Sequence, residues 1–308
     1  MKFDVVIGNP PYNNDLYLDF VQLGHQLSSN YVCMITPAKW QAKGGGKNEA
    51  FRKDIVPHMN KIVYYPDTFE IFNIREQEGI TYFILDKEKH KYKNISVKCK
   101  VCKAFNDEND RDDVDITLYG GLTNSIIKKC LSDKMMDTVI NDKSNTYVDL
   151  TYKGEEYGDI GVYSGEELSG YTTKNKLKTL DNLYRYKLTT NIMPVDVGFD
   201  KSGQMFGLSK VYILEPNNVP KGSFIELITF DTLDEARSFQ SYCNAKLVRF
   251  LYLVGLCGKA MSDRFWRLIP DPGPFDHIFT DKELYDKYNL TPEEIAIIES
   301  VIKERKQK

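Results

Sequence analysis

The sequence has no apolar run of membrane-spanning length, and its first residues lack the basic region and apolar stretch of a secretory leader. The expected location is the cytoplasm, with no membrane partner. Cysteine is sparse: six residues, at 33, 99, 102, 130, 243 and 257 of 308, fall short of the density of a disulfide scaffold, so the thiols are expected to be reduced. Histidine is scarcer, with four residues, and Cys99-x-x-Cys102 has no second Cys or His pair at metal-ligand spacing, so no metal site is predicted. His25, His58 and His277 stand alone in the sequence and read as surface or capping residues. No fixed-period repeat and no low-complexity segment is visible. Gly44-Gly45-Gly46-Lys47 lacks the spacing and the Ser or Thr of a phosphate loop and reads as a flexible loop.

An excess of positive charge is missing too. The net charge of −3 gives no global sign of nucleic-acid binding, although a local basic groove can act within an acidic protein. Between Tyr171 and Thr190, Lys174, Lys176, Lys178, Arg185 and Lys187 stand against Asp181 alone, interleaved with Tyr184 and Tyr186. These five bases are candidate phosphate contacts. Arg249, Lys259, Arg264 and Arg267 form a second candidate set. The opposite extreme is Asp107 to Asp115, with six acids and one base, Arg111. Its composition predicts a solvated linker rather than carboxylates fixed for a nuclease metal.

What remains is an ordinary globular composition, 42% hydrophobic and 28% charged, in a length that suggests two domains. The opening run Lys2-Phe3-Asp4-Val5-Val6-Ile7-Gly8 predicts a buried strand, closed by the rigid loop Asn9-Pro10-Pro11-Tyr12. Leu16, Phe20, Leu23 and Leu27 predict a helix over 15–28, and Tyr31 to Ile35 a second strand, a βαβ beginning. A helix near 48–56 and strands at 61–65, 80–85 and 95–99 follow, the last two without a crossover helix and therefore expected in an antiparallel end of the sheet. Beyond 118 come a helix near 124–141, a Tyr-rich region of short β-like runs over 145–230, a helix over 233–251, and two closing helices. Thr232 with Glu235, Thr280 with Glu283 and Thr291 with Glu294 announce these last three as capping boxes. The expected fold class is α/β, a partial Rossmann-like sheet followed by a mixed, β-rich domain with C-terminal helices. The expected divisions are 1–105, an acidic linker at 106–117, and 118–308.

An Asn-Pro-Pro-Tyr loop at the carboxyl end of an apolar strand resembles the catalytic loop of amino-group DNA methyltransferases, in this form the N6-adenine enzymes. The chemistry suits the residues. The exocyclic amino group of adenine is a poor nucleophile because its lone pair is delocalised into the ring. The Asn9 side-chain oxygen and the Pro10 carbonyl, held on a backbone stiffened by Pro10 and Pro11, can accept both N–H groups and favour a tetrahedral nitrogen. That nitrogen can then attack a sulfonium methyl group. Tyr12 offers a face on which a flipped base can stack.

The resemblance extends to Ile35-Thr36-Pro37, Phe51-Arg52, Asp67 through Phe72, Gly79, Tyr82 and Phe83, which follow the order of regions in large methylases of restriction–modification systems. Arg264-Phe265-Trp266-Arg267-Leu268-Ile269-Pro270, with Thr280-Asp281 and Leu284-Tyr285, is similar to the close of their target-recognition domain. It implies S-adenosylmethionine as methyl donor, double-stranded DNA as substrate, and a restriction endonuclease as partner. One departure stands out. The strand, Gly-rich turn and helix that cradle the cofactor upstream of the catalytic loop are not in this sequence, and Leu118-Tyr119-Gly120-Gly121-Leu122-Thr123 is a poor substitute. Cofactor-binding residues are therefore unassigned, and a chain encoded upstream is expected to supply them. The alternative readings are a catalytically inert DNA-binding remnant or specificity subunit, and a nuclease-like effector.

Overall fold

The Val- and Ile-rich opening run forms β1 (Phe3–Gly8), which α1 (Leu16–Leu27) joins to the parallel strand β2 (Ser28–Pro37), with Val5 opposite Tyr31 and Gly8 opposite Met34. The computed structural model describes residues 2–41, 46–73, 79–112, 117–140, 146–192, 199–255 and 263–305. After α2 (Lys47–Asp54) come β3 (Met59–Tyr65), β4 (Ile80–Asp86), β5 (Lys93–Val97) and β6 (Asp107–Arg111). Together they make a six-stranded sheet of order β1-β2-β4-β3-β5-β6. The sheet is mixed: β4 runs antiparallel to both β2 and β3, whereas β3 and β5 are parallel. The expected antiparallel end is thus carried by β4 within the sheet, and β4 and β5 are not neighbours.

Helix α1 lies on one face of the sheet. A Cβ at Gly24 would stand 2.9 Å from Met34 Cε and 3.4 Å from a methyl of Val6, so the missing side chain is what permits this approach. Tyr17, Leu18 and Val21 are buried on that side with Val32 and Met34. On β1 the alternate residues Phe3, Val5 and Ile7 point the other way and are 49%, 46% and 77% exposed, with Tyr31 and Ile84 exposed in the same rows. The expectation of a buried opening strand fails here. Strand β1 is the sheet's outer edge, and among the described residues no second layer covers that face.

A second departure concerns the acidic stretch. Asp107–Arg111 is not a linker but an edge strand paired antiparallel with β5. Its charges have partners: the Asp107 carboxylate accepts the Gly121 N–H and the Asn109 amide, both at 2.8 Å, and the buried Arg111 guanidinium donates to the Leu118 and Tyr119 carbonyls. Asn94 donates to Asp110 across the two strands.

The chain divides into two units, one of Met1–Lys128, Gly198–Met205 and Val254–Gly258, the other of Lys129–Val197, Phe206–Leu253 and Lys259–Lys308. The division therefore falls within α3 (Gly121–Cys130) rather than at the acidic stretch; α3 also stops earlier than expected, followed by a 3-10 turn at Met136–Thr138. The second unit holds β7 (Ile160–Ser164), β8 (Glu167–Thr172), β9 (Tyr186–Asn191), β10 (Tyr212–Leu214), β11 (Asn218–Pro220) and β12 (Phe224–Phe230). They form two three-stranded sheets, β10-β9-β12 and β11-β7-β8. Tyr147, Val148, Ile160, Val162, Leu183 and Val219 make one core.

The expected single helix over 233–251 is two, α4 (Leu233–Asn244) and α5 (Lys246–Val254), broken where Ala245 turns extended at φ −59° and ψ 139°. The Asp281 carboxylate caps the new N-terminus by accepting the Lys246 N–H at 2.5 Å. Helices α6 (Asp281–Lys287) and α7 (Pro292–Val301) close the chain. Reciprocal capping boxes form at Thr232/Glu235 and Thr291/Glu294; at Thr280 only half forms, because the Glu283 carboxylate is bonded to His277.

Candidate active site

Asn9, Pro10, Pro11 and Tyr12 leave the carboxyl end of β1, the position at which α/β sheets present ligand loops. Asn9 and Pro11 are exposed, Pro10 is buried and Tyr12 half-buried. The Tyr12 hydroxyl donates to Asn9 Oδ1 at 2.9 Å. The Asn9 oxygen is thus an acceptor with one lone pair taken by the Tyr12 hydroxyl and a second still available to a donor such as an N–H group.

The chain then reverses sharply into α1. Asn14 (φ 51°, ψ 37°) and Asp15 (φ 60°, ψ 21°) both adopt the left-handed conformation, which Asn and Asp tolerate better than other non-glycine residues. Lys39, just beyond β2, grips the Asp15 carboxylate at 2.9 and 3.1 Å. Sequence reasoning missed this pair, since 24 positions separate its members. The Asn13-Asn14-Asp15 run was the available signal, for it is rich in residues that accept positive φ.

The cofactor question turns on α3. Gly120 and Gly121 open this helix, but Asp107 already fills its N-terminus: a Cβ on Gly120 would lie 1.7 Å from the Asp107 Oδ2 that accepts the Gly121 N–H. A carboxylate of the chain itself stands where a cofactor's anionic group would be received. The residues do not fit S-adenosylmethionine here. Among the described residues no three His, Cys, Asp or Glu side chains gather where they could hold a metal ion.

The predicted DNA contacts separate into distinct environments. Lys187 is fully buried, donating to the Leu183 and Arg185 carbonyls at 2.9 and 2.8 Å, and burial pushes its ammonium down to about 8 against the opposing pull of Glu226. Arg249 is 1% exposed and donates to the Asn244 and Lys303 carbonyls. Neither can reach a phosphate, so both assignments are corrected: each cation is an internal tie between main-chain segments.

Lys174 is exposed and lies 5.3 Å from the Tyr184 ring centre; Lys176 and Lys178 are exposed and ion-paired with Glu155 and Asp149, and Arg185 is half-buried and ion-paired with Asp231. Arg267 is half-buried. Lys259, the Arg264 side chain and Gly44-Gly45 lie outside the described residues. Trp266 is buried against Tyr252.

The histidines are not isolated. His25 and His58 place their ring centres 4.5 Å apart, and His277 bridges Asp276 and Glu283 at 2.7 Å each. Cys99 and Cys102 are both buried, and burial pushes their thiols up to about 12 and about 11.

The profile of the Eco57I restriction-modification methylase family matches residues 1–72, which contain β1, the Asn9–Tyr12 loop and Lys39. An uncharacterised adenine-specific methylase of Mycoplasma pneumoniae is 33% identical over 99 residues, covering 27% of this chain. The match spans 24% of that relative's length. A modification subunit assigned to a type I restriction enzyme of Vibrio vulnificus YJ016 superposes over 31% of this chain and 25% of its own at 14% identity, with a TM-score of 0.26. The type IIG restriction endonuclease BpuSI superposes over 94% of this chain and 49% of its own at 9% identity, with a TM-score of 0.34. Both scores fall below the level at which a shared fold follows.

Proposed function

We propose that this chain is the base-capturing part of an adenine-N6 DNA methyltransferase of restriction–modification type. The observation that carries the reading is the Asn9–Tyr12 loop at the carboxyl end of β1, its Asn9 oxygen held by a 2.9 Å hydrogen bond, inside the segment that the methylase family profile matches. Asn9 Oδ1 and the Pro10 carbonyl accept the two N–H groups of a flipped adenine, and the Tyr12 ring stacks on its face. Lys174, Lys176, Lys178 and Arg185 contact phosphates. Exposed ion pairs are worth about 0–1 kcal/mol, so the last three can exchange carboxylate for phosphate at little cost.

S-adenosylmethionine, the methyl donor, is bound by a partner chain. The edge of β1, unpaired among the described residues, and the face of Phe3, Val5 and Ile7 that no described residue covers offer that partner main-chain hydrogen bonds together with an apolar surface. The test is expression in a host free of DNA methylation, with and without the chain encoded upstream, followed by quantification of N6-methyladenine in total DNA. Co-expression is expected to yield the modified base, and Asn9→Ala to abolish it while DNA binding persists. Absence of the modified base with both chains present defeats the reading. The blocked N-terminus of α3 favours one second reading, a DNA-binding subunit without transferase activity, which predicts salt-dependent DNA binding and no methyl transfer.

A further inference from the structure

We infer that Lys39 is a positioning residue for the catalytic loop, acting through Asp15 on the Asn9–Tyr12 geometry. The inference rests on the adenine methyltransferase reading of that loop. Two consecutive non-glycine residues in the left-handed region, Asn14 and Asp15, form an unfavourable arrangement that persists only where the surroundings enforce it. Only Asn13 separates them from Tyr12, so relaxation of either would swing the Tyr12 hydroxyl away from Asn9 Oδ1.

The enforcing contact is the two-oxygen grip of Lys39 on Asp15, with side chains 34% and 28% exposed. Lys39 is itself placed by a rigid platform. Its neighbours in the 3-10 turn Ala38–Gln41 are all buried. The Ala38 N–H donates to the Gly79 carbonyl at 3.0 Å, Trp40 Nε1 to Thr81 Oγ1 at 3.3 Å, and Gln41 Oε1 accepts the Leu118 N–H at 2.8 Å. Trp40 also packs against Phe51 and Phe83. The ammonium is thus anchored to the sheet and its grip transmits that anchorage to the loop. Partial exposure leaves the pair room to form and break, so its loss loosens the loop without opening the core.

The test uses the full chain labelled with 15N-asparagine, with the Asn9 side-chain amide identified by its disappearance in Asn9→Ala. In the wild type a single sharp pair of Asn9 amide resonances is expected. Lys39→Met should shift and broaden them, and Lys39→Arg, which keeps a two-pronged grip on a carboxylate, should restore them. Asp15→Asn keeps a side chain tolerant of positive φ but cannot form the ion pair, and it should reproduce the Lys39→Met spectrum even if that variant folds poorly. With the partner chain present, Lys39→Met should lower the turnover rate on the order of 10- to 100-fold with DNA affinity unchanged. Wild-type-like Asn9 resonances in both Lys39→Met and Asp15→Asn overturn the positioning role. A wild type that transfers no methyl group defeats the functional reading instead, and the resonance measurement still decides the role of Lys39.

Discussion

Tyr147 donates its hydroxyl to the Glu226 carboxylate at 2.6 Å inside the second unit, and Asn182 donates to the same carboxylate at 3.0 Å. Both Tyr147 and Glu226 are almost wholly buried. Removing the hydroxyl leaves a buried charge short of one donor. Tyr147→Phe should therefore destabilise this unit by about 1–3 kcal/mol, read as a lower urea midpoint.

The buried Lys187 gives stability a pH dependence on the alkaline side. Burial holds its folded-state value at about 8, below the ordinary 10.5. Below pH 8 it is charged in both states. Between 8 and 10.5 the unfolded chain binds the extra proton, so stability rises with pH across that window. The difference in urea midpoint between the parent protein and Lys187→Met should grow in the parent's favour from pH 8 to pH 10.

On the acid side His25 contributes a dependence of its own. Burial, then the Lys87 ammonium, then His58, hold its imidazole down to about 4 from 6.5. The unfolded state takes up the proton first as pH falls, so the contribution present above pH 6.5 is lost between 6.5 and 4. His25→Gln should flatten the fall in urea midpoint over this range.

Ile7 is 77% exposed on the outer strand. Ile7→Lys should change the stability of the isolated chain by less than about 0.5 kcal/mol. The same substitution should abolish co-purification with the proposed cofactor-binding partner, and retained co-purification would remove β1 from the docking surface.

Lys174 and Arg249 should separate cleanly in a binding assay. Lys174→Ala should leave the thermal midpoint unchanged and reduce the salt dependence of DNA binding by about one phosphate contact. Arg249→Ala should lower the midpoint, through the loss of its carbonyl ties to Asn244 and Lys303, by an amount equivalent to about 2–4 kcal/mol.

The local features were legible in the sequence. Leu16 to Leu27 carried the helical period, and Thr232 and Thr291 carried the capping chemistry that the structure realises. The placement of Asn9–Tyr12 at a strand's carboxyl end was equally readable from the two prolines. Features that depend on distant partners were not. A run such as Val5-Val6-Ile7 reads alike at a sheet's centre and at its edge. Composition marks Asp107–Arg111 as a loop because Gly121, Leu118 and Tyr119, which engage its charges, are not its neighbours in sequence. The break at Ala245 coincides with a cap supplied by Asp281, and the ion pairs of Lys178 and Arg185 come from Asp149 and Asp231.

The ties of Arg249 also order events during synthesis. Its guanidinium donates to the carbonyl of Lys303, and Arg305 returns to the carbonyl of Leu208 and to Asn244. Until residues 303–305 have emerged from the ribosome, the buried guanidinium in α5 keeps the Asn244 carbonyl but lacks that of Lys303, and the Arg305 ties cannot form. The first unit's sheet has all its strands once Arg111 is out. Nascent chains arrested before residue 303 should thus carry a protease-resistant sheet followed by a segment that is still digestible.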